Sequence, residues 1–136
     1  MTVGKAVYNI LKSDSSVISK VGITGIYPEI APELNRTQIE SQRYVVYSVV
    51  SNVPSDTKED NGKVDVATVE IYSFSYTYKT AVDLGVAVRA ALDRKNGTFG
   101  GIKIQSINYT NEQMDVNPER SIWVSIQDYT IRVNNT

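Results

Sequence analysis

VDVATVEIYSFSYTYKTAVDLGVAVRAALDRKNGTFGGIKIQSI, residues 64–107, is the stretch on which the fold turns. From Val64 to Tyr76 polar and apolar residues alternate, which is the two-residue period of a strand with two unlike faces. One face carries Ala67, Val69, Ile71 and Ser73; the other carries Thr68, Glu70, Tyr72, Phe74 and Tyr76. Between about Tyr78 and Arg94 the period changes to that of a helix. Ala81, Leu84, Gly85, Val88, Ala91 and Leu92 then fall on one side, small enough in part to approach a sheet closely. Asn96-Gly97 and Gly100-Gly101 end the helix and turn the chain, and Ile102 to Tyr109 resumes the sheet.

Outward from this segment, Val3, Val7, Ile10 and Leu11 predict a short amphipathic helix, with Lys12 placed to suit its C-terminal dipole. Asp14 is a cap for a second short helix that buries Val17, Ile18 and Val21 and stops at Gly22. A brief strand at Ile26-Tyr27 ends at Pro28, and residues 29–42 show neither period, so they read as a long irregular loop. Tyr44 to Ser51 is a strand apolar on both faces, hence central or covered by a partner. Asn52 to Lys63, polar and closed by Asn-Gly, reads as a long hairpin arm. In Ser121 to Val133 the alternation runs through Ile122, Val124 and Ile126 and then through Tyr129, Ile131 and Val133. That phase change predicts a bulge near Gln127-Asp128, and Ile102, Ile104, Ile107 and Tyr109 predict a similar slip. The expected class is α+β: one domain over residues 1–136, with a mainly antiparallel sheet, helices on one face and one hairpin arm.

Composition narrows the chemistry. The 136 residues contain no cysteine and no histidine, so Ser-His-Asp and Cys-His catalysis, thiolate zinc sites and disulfides are excluded. Carboxylate, lysine, tyrosine or Mg/Ca chemistry is what remains. A net charge of -1 supplies no global basic field for nucleic acid. No segment approaches the roughly 18 apolar residues of a membrane span, and the N-terminus lacks the pattern of a secretion signal, so a cytosolic site of synthesis is expected.

The candidate sites follow from that inventory. The arm clusters Asp56, Glu59 and Asp60 beside Lys58. It fails the EF-hand pattern, because counting back from Gly62 puts threonine (Thr57 and Thr68) at the first and twelfth ligand positions. A loose cation site, a charged contact arm and a solvated hairpin tip stay open. Glu70, Glu112 and Asp115 are the nearest candidates for paired-carboxylate catalysis, yet nothing in the sequence pairs them. The order helix, glycines, strand is the reverse of a phosphate loop. Tyr72, Phe74 and Tyr76 form an aromatic stripe opposite the core face, read either as strand propensity or as a protein–protein surface. A single-stranded nucleic-acid platform would need a basic surround, which Glu70 does not supply.

The ordered set AVYNILKSDSSVISKVG, IYP, YVVYSVVS, a long hairpin, VEIYSFSYTYKTAVDLGVAVRAALD, GGIKIQSI and SIQDYTIRV resembles the small tail-completion proteins (tail terminators or head–tail joining proteins) of long-tailed bacteriophages and prophages. The chain departs from that pattern in its longer loop 29–42. The resemblance implies a structural virion protein with no catalytic, cofactor-binding or metal-ligating residues and no cofactor. It implies a ring, commonly hexameric, on the head-proximal end of the tail tube, assembled in the host cytoplasm. Its partners would be its own copies, the tail tube protein and the head connector, with DNA only passing through a channel and no membrane. A head-closure or connector adaptor is the neighbouring reading, and a small carboxylate- or Mg-dependent enzyme the competing class. A closed ring requires two different patches per subunit. Tyr72, Phe74 and Tyr76, and the arm with Asp56, Lys58, Glu59 and Asp60, are the residues expected to supply them.

Overall fold

Ala67, Val69, Ile71 and Ser73 are all fully buried, so one face of the central strand is core along most of its length. The computed structural model describes residues 2–22, 25–29, 43–55, 64–117 and 122–134. Loop residues 30–42 and the arm residues 56–63, including Asp56, Lys58, Glu59 and Asp60, lie outside the described residues. The elements are α1 (Thr2–Ser13), α2 (Ser15–Val21), β1 (Ile26–Pro28), β2 (Tyr44–Ser55) and β3 (Val64–Ser75). They continue with α3 (Tyr78–Leu92), β4 (Gly97–Phe99), β5 (Ile102–Asn117) and β6 (Ile122–Asn134). Among the described residues six strands form one sheet in the order β1-β2-β3-β6-β5-β4, antiparallel except for the short β1–β2 pair. The fold is α+β, as the sequence predicts.

All three described helices serve the same face of the sheet. Val3, Ala6, Val7, Ile10 and Leu11 of α1 and Leu84, Val88, Ala91 and Leu92 of α3 join Val45, Val69, Ile71, Ile107, Tyr129 and Ile131 in one apolar core. Each large side chain there contributes about 1.5–3 kcal/mol by leaving water. The helix ends are satisfied locally. Asp14 Oδ1 accepts from Val17 N at 3.0 Å, and Thr77 Oγ1 accepts from Thr80 N at 3.2 Å. Gly22, at φ 78°, ends α2 and donates its N–H to Ile18 O at 2.8 Å. Gly100 and Gly101 both have positive φ (58° and 81°), as a two-residue turn between β4 and β5 requires.

α3 packs closely on β6. A Cβ at Gly85 would sit 2.8 Å from Ser125 Oγ and 3.3 Å from Gln127 Nε2. That gap lets Gln127 Nε2 donate to Gly85 O at 2.9 Å, while Gln127 Oε1 accepts from Tyr129 OH at 2.7 Å. Two polar residues, Ser125 and Gln127, are therefore buried under the helix without loss of partners.

This arrangement corrects the expected bulge at Gln127-Asp128. β6 pairs with β3 without interruption from Trp123 to Asn134. The phase change has another cause: the core-facing positions 125 and 127 are polar and satisfied by hydrogen bonds, and Val124 and Ile126 belong to the opposite face. The bulges lie instead in β5, between Ile104 and Ser106 and between Tyr109 and Asn111, and in β2, between Val49 and Ser51. The first of these accounts for the slip read from Ile104 to Ile107. β2 also extends to Ser55 and β5 to Asn117, well past their sequence-based ends, because continuous cross-strand pairing carries their polar residues.

The Gly85 contact gives a direct test. Gly85→Ala sets a Cβ 2.8 Å from Ser125 Oγ and 3.3 Å from Ser125 Cβ and Gln127 Nε2, so these side chains must shift under the helix, and an overpacked site of this kind costs about 1–3 kcal/mol. Urea unfolding is expected to show that loss as a lower midpoint at unchanged slope. An unaltered midpoint contradicts the close approach.

Candidate functional site

Alternation sends every second residue of β2, β3 and β6 to the face that the helices leave uncovered. Register then sets which residues meet. Tyr44, Phe74 and Val124 share one rung, and Val46, Tyr72 and Ile126 the next on the same face. Tyr44 and Phe74 stack at 4.6 Å between centroids and 13° between planes. Tyr72 lies 6.3 Å from Phe74, and Tyr27 of β1 meets Tyr44 edge-on at the same distance. Four rings thus tile one side of the sheet, with Val46, Val124 and Ile126 completing their rungs. Val46 is buried; the four rings, Val124 and Ile126 are half-buried.

Carboxylates border this platform. Tyr72 OH donates to Glu70 Oε2. Glu29, held at φ 62°, accepts from Ser48 Oγ at 2.8 Å and from Val49 N at 3.2 Å. Asp128 accepts from Asn111 Nδ2 at 3.3 Å. The bond to Glu70, then burial, then the negative charges of Glu70, Asp128 and Glu29 push the Tyr72 phenol up to about 12. The result is an apolar centre with a polar, acidic rim, the anatomy of a protein–protein contact surface.

The expected stripe is therefore partly assembled and partly enlarged. Tyr72 and Phe74 stand together, whereas Tyr76 follows the end of β3 and is exposed. Tyr27, Tyr44, Val46, Val124 and Ile126 were not legible as members, because their positions depend on strand register across long connections. The only local signal was the two-sided apolar character of Tyr44 to Ser51.

The three candidate acids do not converge. Glu70 is on the outer face with Tyr72, and Asp115 Oδ1 accepts from Val116 N at 2.8 Å. Glu112 accepts from Tyr109 OH at 2.7 Å and Ser125 Oγ at 3.0 Å on the helix side. Desolvation pushes the Glu112 carboxyl up, but hydrogen bonds from Tyr109, Ser125 and Gln127, with the Arg89 charge, outweigh it and hold it below the ordinary range. That is the reverse of the raised pKa a general acid needs. Arg89 in turn lies 3.8 Å above the Tyr109 ring and 3.6 Å from Asp93. Among the described residues no group of three or more Asp and Glu is placed to hold a metal ion.

Comparison with known proteins bears on this surface. The family model described as tail completion protein gp17 matches residues 5–134. No curated protein matches the sequence. Among solved structures, a chain of the structure titled "Virion of native gene transfer agent (GTA) particle" is similar, with a TM-score of 0.71 and 19% sequence identity. The match covers 95% of this chain and 92% of that one, and at this identity it is a likeness of fold.

Two titrations check the geometry. The phenol of Tyr72 is raised, so its contribution to stability is fully present below 10.0 and disappears as the pH rises through about 12. Glu70→Gln removes the anionic acceptor and is expected to bring the Tyr72 tyrosinate absorbance to lower pH; no change relative to the parent contradicts the bond. Glu112 is lowered, so its stabilisation is present above the ordinary carboxylate value of 4.5 and is lost as the pH falls below it. Glu112→Gln is expected to flatten that acid limb of the urea-midpoint profile, and an equally steep limb in the variant contradicts the assignment.

Proposed function

Because the chain belongs to the tail completion protein gp17 family of phage tail structural proteins, we propose that it is a ring-forming subunit that completes the tail tube and joins it to the head connector. The family's role is structural and is not an enzyme class. The observation that carries the finer reading is the outer face of the sheet. Tyr27, Tyr44, Tyr72 and Phe74 make a continuous aromatic platform on the side away from the helices, framed by Glu29, Glu70 and Asp128. Tyrosine and phenylalanine at the centre of such a patch bring large contact area at small entropic cost, and charged residues at its edge fix orientation.

In this reading residues 1–136 act as one unit, hexameric on the tail, in the neck of the virion, after assembly in the host cytoplasm. Tyr72 and Phe74 dock a neighbouring component. Tyr76 and the arm residues Asp56, Lys58, Glu59 and Asp60 add a second contact, as a cyclic assembly requires. The tail tube protein and the head connector are the other partners. A chain of net charge -1 suits a channel that DNA slides through without being held.

The test is the mass of the protein by light scattering, alone and with isolated tail tubes. Multiples of the subunit mass are expected on the tubes, and the pair Tyr72→Ser with Phe74→Ser is expected to abolish them while leaving the far-ultraviolet circular dichroism unchanged. A parent protein that stays monomeric and never caps tubes sinks the reading. A double variant that still assembles removes the platform from it.

A further inference from the structure

Two carboxylates stand directly opposite each other in the middle of the sheet. Glu70 of β3 pairs with Asp128 of β6, and Ser48 of β2 continues the same rung on the other side. Glu29 extends the row, because its carboxylate accepts from Ser48 Oγ at 2.8 Å and from Val49 N at 3.2 Å. Facing residues of an antiparallel pair have Cβ atoms about 5 Å apart, and like charges there destabilise the pair. Among the described residues no cation relieves the row. Its hydrogen-bond partners are Ser48, Val49, Tyr72 and Asn111, and the ion pair of Arg89 with Asp93 belongs to α3. Nor is the row a metal cage, since no group of three or more carboxylates among the described residues is placed to hold an ion.

Such a row destabilises the free subunit and is relieved by positive charge brought from outside. It also borders the aromatic platform. Val46, Tyr72 and Ile126 occupy the next rung on the same face, so one partner surface can cover both. Arginine suits that border, because its guanidinium pairs with carboxylates and stacks on aromatic faces.

We propose that this face docks a protein surface that sets arginine or lysine against Glu29, Glu70 and Asp128 and apolar side chains against the platform. The proposal rests on the reading above, in which that surface belongs to the end of the tail tube. Nucleic acid is repelled by the row. A second copy of this chain fits less well. On this face Arg132 lies four positions from Asp128 along β6, about 13 Å away, and Lys103 lies beyond it opposite Asn134. A copy presenting those cations would lie face to face with the first, each acidic row over the other's cations. That contact is isologous, and it closes a pair rather than a ring.

Charge-neutral variants separate docking from folding. In the isolated protein Asp128→Asn is expected to raise the urea midpoint at low salt, because it removes a like-charge neighbour. A midpoint that falls means that the row is neutralised within its own chain, and overturns the proposal. On isolated tail tubes, Glu70→Gln/Asp128→Asn is expected to need about tenfold more protein than the parent for capping at low salt. At about 0.5 M salt the parent is expected to weaken to the level of that variant. Lys103→Glu/Arg132→Glu is expected to cap as the parent does; a loss equal to that of the acid variant identifies a second copy as the occupant and overturns the choice made here. An acid variant that caps at parent concentrations with the parent's salt dependence overturns this contact and leaves the ring reading standing. A parent that never caps tubes overturns both.

Discussion

The missing side chain at Gly85 is the constraint on which the rest of this molecule depends. It lets the α3 backbone sit directly on β6, close enough for Gly85 O to accept from Gln127 at 2.9 Å. With that bond in place, Ser125 and Gln127 occupy core-facing positions of β6 at no unmet hydrogen-bonding cost. The alternation of the strand then obliges Val124 and Ile126 to face the other way. Closing the inner face with polar residues at two rungs of β6 thus places the strand's apolar Val124 and Ile126 on the outer face, beside the aromatic platform.

From Gly85 a chain of polar contacts runs to the far edge of the sheet. Gln127 and Ser125 reach Glu112, Glu112 accepts from Tyr109, and Arg89 covers the Tyr109 ring while facing Asp93. Asp93 Oδ1 accepts from Tyr109 N at 3.2 Å, and Arg94 N donates to Ile107 O at 2.8 Å. The end of α3 thereby occupies backbone groups of β5 where the two bulges bend that strand. Covered groups and bulges are the usual protections of a strand near a sheet edge against unplanned pairing. Docking by side-chain patches rather than by edge pairing is consistent with that protection.

The two faces of the sheet differ in kind. The platform is a ring-stacked, rigid plane whose members hold one another in place and whose rim is acidic. On the helix side Tyr78 meets Trp123 edge-on, Val116 pairs with Trp123, and both Tyr78 and Val116 are exposed.

The sequence by itself determined the elements whose period is local. The alternation of Ala67, Val69, Ile71 and Ser73, the buried stripe of α3 and the caps at Asp14 and Thr77 depend on residues a few positions apart. The α+β class follows from their order, and the family from the ordered set as a whole. The sequence could not assign Val124 and Ile126 to a face, since hydrophobicity alone made them look like core and only Gly85 shows why polar residues took that place. Nor could it bring Tyr27 and Tyr44 to Tyr72 and Phe74, or Trp123 to Tyr78. Those meetings are set by strand register and helix approach, which arise from packing between segments distant in the chain, and pairing across such distances leaves no period in the sequence to read.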